Sequence, residues 1–229
     1  MGISAGPDMI QNGLVLALDA ADRNSYISGS TTWTDISGNN NNGTLINGPT
    51  FSLANQGSIV FDGTNDYVST AGISATVSEL TILTWLFVTE PQPNDMSSVV
   101  FSRVAGGAIT GLHFLGTSFG GNGYKLSYTY NGGGYTWGGA PAVTPSVWNS
   151  VTLVLRSTGA FFYMNGQLSA SNGGSLAATN LSALQIGRDS STFGRYYKGN
   201  LANTLIYNRA LTDSEVLQNY NATKTRFGL

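Results

Sequence analysis

Cysteine is absent from this sequence. That excludes disulfides, thiolate nucleophiles and the cysteine-based zinc cages. Charge is scarce as well: Lys and Arg number 10 and Asp and Glu 12, together 10% of the residues, where an ordinary soluble protein carries roughly 25%. The cations are scattered and the net charge is -2, so the basic stripe on which nucleic-acid binding depends is missing. No apolar run approaches the length of a membrane-spanning helix. Met1 to Gly13 has neither the basic start nor the apolar stretch of a secretory leader, so no signal peptide and no membrane partner are expected. His113 is the only histidine.

What is present is glycine, at 30 of 229 residues, aromatic side chains at 11%, and many Asn, Ser and Thr. This is the composition of a loop-rich β protein. No linker or internal repeat divides the chain, so we read an N-terminal arm, residues 1–13, followed by one domain over 14–229.

The clearest periodicity lies between Ser146 and Ser171. From Val147 to Leu155 the odd positions are Val147, Asn149, Val151, Leu153 and Leu155, while the even ones, carried on to 156, are Trp148, Ser150, Thr152, Val154 and Arg156. Such period-two alternation is the mark of a strand with one face in a core. Ser157, Thr158 and Gly159 supply a turn, Phe161 to Met164 a bulky return strand, and Asn165-Gly166 a dipeptide suited to the positive φ angles of a type I′ turn.

The pattern W-x-x-V-x-L-V-L, a short turn and then F-Y-M-N-G resembles the central hairpin of the concanavalin A-like lectin/glucanase superfamily, in its laminin G-like branch. Gly13 to Ala20, Trp33 to Phe51, Ser58 to Val68 and Tyr207 to Tyr220 resemble further blocks of that branch, in the same order. The resemblance implies an all-β fold, a single antiparallel jelly-roll sandwich with one short C-terminal helix. Similar chains recur among structural proteins of tailed bacteriophages. A virion component made in host cytoplasm and released by lysis would reconcile the missing signal with a superfamily that mostly works outside cells.

In chain order, Leu14 to Leu18 reads as the first buried strand and Asp19 to Asn47 as a long polar loop with Trp33 plugging the core. Leu80 to Thr89 reads as a central strand covered on both sides, because both its odd and its even positions are apolar. A helix is expected from Thr212, whose hydroxyl and Glu215 make a capping box. It should be short and peripheral.

Glucanases of the superfamily set several acidic residues at alternate positions of one strand, so that carboxylates converge on the sugar. No strand here does that, and Asp62 and Asp66 stand across an expected turn, so a protein without catalysis is expected. Gly116 to Gly120 fits G-x-S-x-G, but Gly120-Gly121-Asn122-Gly123 cannot begin the helix that a nucleophile elbow requires. His113 is then a strand residue beside Leu112 and Phe114.

Two constellations remain. Asp35, Asn39 and Asn41, with Ser37 between them, present oxygen-bearing side chains at alternate positions before Gly43, a spacing that resembles a weak calcium loop; the competing reading is an Asn-rich loop held by its own Asx turns. Tyr124, Tyr130, Tyr135 and Trp137, with Tyr196 and Tyr197, form a candidate platform for stacking on sugars, with Asn122, Asn131 and Arg195 as hydrogen-bonding partners. The same rings would equally serve as anchors in a protein interface. The expected function is therefore a virion surface component, capsid decoration or tail fibre, that adheres to other virion proteins. The alternatives are a lectin-like module for host-surface glycans and, more distantly, a glycoside hydrolase. Self-association into a homo-oligomer is left open.

Overall fold

The computed structural model describes residues 7–70, 72–103, 109–130, 137–174, 177–189 and 194–229. Seventeen strands occur among them. The first five are β1 (Leu14–Asp19), β2 (Thr32–Trp33), β3 (Gly43–Ile46), β4 (Thr50–Ser52) and β5 (Ser58–Asp62). Then come β6 (Tyr67–Thr70), β7 (Ile73–Val77), β8 (Leu80–Phe87), β9 (Ser98–Arg103), β10 (Ile109–Leu115) and β11 (Lys125–Tyr130). The last six are β12 (Trp148–Arg156), β13 (Gly159–Met164), β14 (Gln167–Gly173), β15 (Thr179–Leu181), β16 (Leu184–Ile186) and β17 (Lys198–Tyr207), followed by one helix, α1 (Asp213–Thr223).

The strands form two large sheets. The first runs β14-β13-β12-β8-β17-β5-β4, with β1 also paired to β17; the second runs β11-β10-β9-β16-β6-β3-β2. Pairing is antiparallel throughout, and the small pair β15-β7 closes one side. The chain is the antiparallel sandwich with one short C-terminal helix that its family resemblance implies.

The two inner faces meet in one core. Val151, Leu153 and Leu155 of β12 enter it from the first sheet, and Leu112 and Phe114 of β10 meet them from the second. Trp33 is fully buried in the same core, so the plug expected of it is in place. Val147 lies outside the strand and is 47% exposed. The Asn165-Gly166 turn has φ of 50° and 78°, the positive pair its sequence calls for.

β8 is covered on both sides, as its doubly apolar pattern requires. Leu80, Ile82 and Leu86 face the main core, while Leu83 and Trp85 face a second one. That second core corrects the expectation of a peripheral helix. Thr212 and Glu215 do form the capping box, but α1 lays Val216 onto the outer face of the first sheet against Trp85, Val154, Tyr163 and Tyr207. Trp85 donates Nε1–H to Thr223 Oγ1 at 2.8 Å. The described part of the N-terminal arm packs on the same layer: Ile10 N donates to Asn219 Oδ1 (2.9 Å) and Tyr207 donates its hydroxyl to Ile10 O (3.0 Å).

Candidate functional site

The expected aromatic platform does not assemble as one surface. Along β11, period two turns Leu126, Tyr128 and Tyr130 into the core. Tyr130 is 2% exposed and its hydroxyl donates to Ser78 O at 3.3 Å; burial pushes its pKa up to about 12. Tyr197 is fully buried between Phe61 and Phe114, and burial likewise raises its pKa well above the ordinary tyrosine value. Neither ring can meet a sugar. Trp137 and Tyr124 are half-buried and pack on the core. Trp137 closes the sandwich edge, with its ring 5.9 Å from Tyr128 and 6.1 Å from Phe162. Residues just beyond it pair along β11, where Leu126 N donates to Pro141 O and Val143 N to Tyr124 O. This part of the chain is thus framework rather than a free stacking platform. Asn131 and Tyr135 lie outside the described residues.

The Asn-rich loop is stapled to itself and to β1. Asp35 is buried, and its Oδ1 accepts from Ala17 N and Ser37 N, its Oδ2 from Asn41 N and the Ser37 hydroxyl, all at 2.9 Å. Asn39 and Asn41 donate their amide N–H groups to Leu14 O (3.1 Å) and Val15 O (2.8 Å). Since those partners are carbonyls, the amides must turn their nitrogens inward. A calcium ion needs converging oxygens, and this geometry offers donors where ligands would stand. Among the described residues no group of three or more His, Asp or Glu gathers in a way that could hold a metal.

Arg195 sits instead on the outer face of the second sheet. Asp189, with a side chain wholly out of solvent, receives Arg103 in a two-pronged pair (2.6 and 2.7 Å) and Arg195 Nη1 at 2.7 Å. His113 lies beneath, fully buried, its ring 6.1 Å from Phe101 and its Nε2 3.2 Å from Thr129 Oγ1. Burial lowers its pKa to about 4, so it is neutral at physiological pH. It is a strand residue, as read from its neighbours. Tyr196, half-buried, follows Arg195. Arg103 and Asp189 were not legible beforehand, being far apart in sequence with no motif around either.

A run of concave surface lies elsewhere, at the rim where the β1–β2 connection meets the turns around β4. Three adjoining cavities of about 510, 540 and 570 Å³ run along it. The first and third share Tyr26, Ser28 and Phe51; the first and second share Ala21, Arg23 and Gln56. Tyr26, buried in the core, packs ring to ring with half-buried Phe51 at 5.3 Å, so that Phe51 is the more open ring of the floor. Ile27 and Leu53, 68% and 79% exposed, stand as apolar walls. The polar groups at the rim are Arg23, Gln56, Ser28 and Asn47, and the second cavity adds Asp19, Asp22 and Arg226.

Local chemistry holds this groove in shape. Ser25 donates its hydroxyl to Thr34 O (2.6 Å), and Tyr26 donates to Ser30 O (3.0 Å), folding the connection back on itself. On the other wall Asn55 and Gln56 take φ of 52° and 69°, left-handed values that cost a non-glycine residue energy. Arg226 secures that turn: it donates to Asn55 O at 2.8 Å, to Gly57 O, and to Asp19 Oδ1 at 2.6 Å. Two consecutive strained residues beside an open cavity are the kind of local cost that clusters at binding sites. The sequence singled out the long loop but not this half of it; exposed Ile27 beside Tyr26 was the available signal.

Comparison with known proteins places the fold. The family model of the concanavalin A-like lectin/glucanases superfamily matches residues 62–217. The chain belongs to that superfamily. No curated protein matches the sequence. Among solved structures, this superfamily member is similar to Trypanosoma rangeli sialidase in complex with sialic acid (17% identity, TM-score 0.63), aligned over 93% of this chain and 33% of the sialidase. It is also similar to domain 4 of AbnA, a GH43 extracellular arabinanase from Geobacillus stearothermophilus, in complex with arabinotriose. There the identity is 14% and the TM-score 0.64, over 90% of this chain and 98% of that domain. A third likeness is to the binding domain of Paraclostridial Mosquitocidal Protein 1 (18%, TM-score 0.64), over 93% of this chain and 52% of that one.

The first two of these are a sialidase holding sialic acid and an arabinanase domain holding arabinotriose, and the chain spans about a third of the length of the sialidases it matches. They overturn the expectation of a protein without catalysis. Sialidases share this sandwich, so the fold and the missing glucanase strand pattern do not exclude enzymatic chemistry. None of the three is named as a virion component.

Proposed function

We propose that this chain binds carbohydrate, and that the rim groove over Tyr26 and Phe51 receives the saccharide. The observation that carries the reading is the run of three adjoining cavities, two of them walled by Phe51 and Tyr26 and the third lined by polar and charged groups including Asp19, Asp22 and Arg226. An extended, partly apolar channel of this size suits a linear oligosaccharide, whose pyranose or furanose C–H faces lie on Phe51, Ile27 and Leu53 while hydroxyls bond Arg23, Gln56, Ser28 and Asn47. The arabinanase domain that holds arabinotriose supports the class of ligand and covers nearly the whole of this chain. Attachment to glycans, second in the sequence reading, thus takes precedence over a virion coat role, which gains nothing from these relatives.

Calorimetric titration with arabinotriose and a panel of neutral oligosaccharides tests the reading. Binding to at least one neutral oligosaccharide is expected, and Leu53→Ser with Gln56→Ala should abolish it without lowering the melting temperature by more than a few degrees. Loss of the strained side chain at Gln56 does not disturb the core, since that turn is exposed. Unchanged binding in the double variant, or no binding to any of the panel, would refute the groove.

A further inference from the structure

Residues 53–57, which carry Leu53 and Gln56, make one wall of the rim groove, and the segment from Asp19 to Arg23 contributes to the other. On the reading of the groove as the saccharide site, we propose that Arg226 is its positioning residue, the group that ties the two walls together and fixes their spacing.

The guanidinium reaches both walls at once. Nε donates to Asn55 O at 2.8 Å and Nη2 to Gly57 O, both on the first wall, while Nη1 donates to Asp19 Oδ1 at 2.6 Å on the second. Arg226 borders the second cavity, but its side chain is only 9% exposed and all three of its nitrogens donate to the walls. It therefore acts on a ligand through the walls. At the base of the groove the walls already touch, because a Cβ on Gly57 would stand 2.5 Å from Ala20 O. Arg226 clamps that contact.

The first wall needs such a clamp. Asn55 and Gln56 stand at φ of 52° and 69°, a region that non-glycine residues keep only where the surroundings hold them in it. The clamp is in turn held from behind. Lys224–Phe227 is a turn of 3₁₀ helix, and Phe227 anchors it to the first sheet by stacking 4.0 Å from Trp85 and 4.9 Å from Trp148. Arg226 lies over the Phe227 ring, 5.2 Å from its centroid. Trp148 adds a second hold, since its Nε1–H donates to Asn55 Oδ1 at 2.9 Å. A groove whose width is fixed before the ligand arrives spends less on ordering when it binds. Were release of the wall to leave the receptive shape in about a tenth of the molecules, apparent affinity would fall about tenfold.

The test pairs calorimetric titration with hydrogen exchange of the intact chain. The ligand is arabinotriose, or whichever neutral oligosaccharide the wild type binds most tightly. Arg226→Ala should bind it about tenfold more weakly, and exchange should quicken across residues 53–57 while the amides of β8 and β12 keep their protection. Arg226→Lys keeps a charge for Asp19 but lacks the planar fork that serves both carbonyls. It should melt close to the wild type, with an affinity between those of the wild type and Arg226→Ala. A merely stabilising arginine would instead loosen β8 and β12 along with the wall and leave the affinity of the folded protein unchanged. Wild-type affinity in Arg226→Ala, or unchanged exchange at 53–57, would overturn the positioning role and leave the groove standing. Failure of the wild type to bind any oligosaccharide would remove the groove and this role together. Should Arg226→Ala fail to fold, Arg226→Lys takes its place in both measurements: weakened binding supports the role and wild-type affinity overturns it.

Discussion

The rings of Trp85 and Phe227 lie 4.0 Å apart at an interplanar angle of 20°, so the last residues of the chain are stacked on the central strand of the first sheet. Trp148 leans on the same Phe227 at 4.9 Å, and Tyr220 on Trp85 at 5.7 Å. The C-terminal segment is thereby a second hydrophobic layer, and through Arg226 it also braces one wall of the rim groove.

Phe227→Ala should destabilise the fold by roughly 1 to 3 kcal/mol. This is less than the 3 to 5 of a fully buried phenylalanine, because Phe227 is only partly buried. Urea unfolding followed by tryptophan emission measures it. An unchanged midpoint would show that the C-terminal layer contributes nothing to stability.

Trp33→Ala should cost about 3 to 5 kcal/mol, since the whole indole leaves a site with no solvent access. Leu53→Ser, at a side chain 79% exposed, should stay within about 0.5 kcal/mol. Thermal melts of the two variants side by side check the contrast. Equal melting temperatures would contradict the burial of Trp33.

Asp35→Ala should destabilise the protein equally with calcium and with chelator present. Its loss leaves the buried Ala17 N–H, and the N–H groups of Ser37 and Asn41, without their acceptor, each such loss costing about 1 to 3 kcal/mol where water cannot replace it. Stabilisation of the wild-type protein by calcium that vanishes in Asp35→Ala would restore the metal reading.

Acid should weaken the fold in two windows. Buried His113 has a folded pKa of about 4 against 6.5 when exposed; the unfolded chain therefore takes up its proton first, and stability complete above pH 6.5 declines as pH falls toward 4. Glu215, held near 2 chiefly by the hydrogen bond from Arg209, contributes stability that is present above 4.5 and lost as pH falls through 2. Melting temperature against pH for the wild type, His113→Gln and Glu215→Gln separates the two. A wild-type profile flat from pH 7 to 4 would contradict the buried neutral histidine.

Elements whose signal lies within a few consecutive residues were legible in the sequence. The alternation of β12, the positive-φ pair Asn165-Gly166, the doubly apolar β8 and the Thr212–Glu215 cap each depend on local backbone chemistry, and the structure has them all. Trp33 was legible as a plug because a large apolar ring in a polar loop has few other places to go. Aromatic rings in glycine-rich sequence were not legible as sites, since whether Tyr130 or Trp137 faces solvent depends on strand phase and on which edge packs over it. The Asn-rich loop carried the right spacing for a cation, but the carbonyls of β1, brought beneath it by folding, decided which way its amides turn. Tertiary structure alone joined Arg103 to Asp189, Phe227 to Trp85, and Tyr26 to Phe51. In each pair the partners are distant in sequence, and no local preference encodes a meeting that only the pairing of strands and the packing of loops and the C-terminal segment onto the sheets bring about.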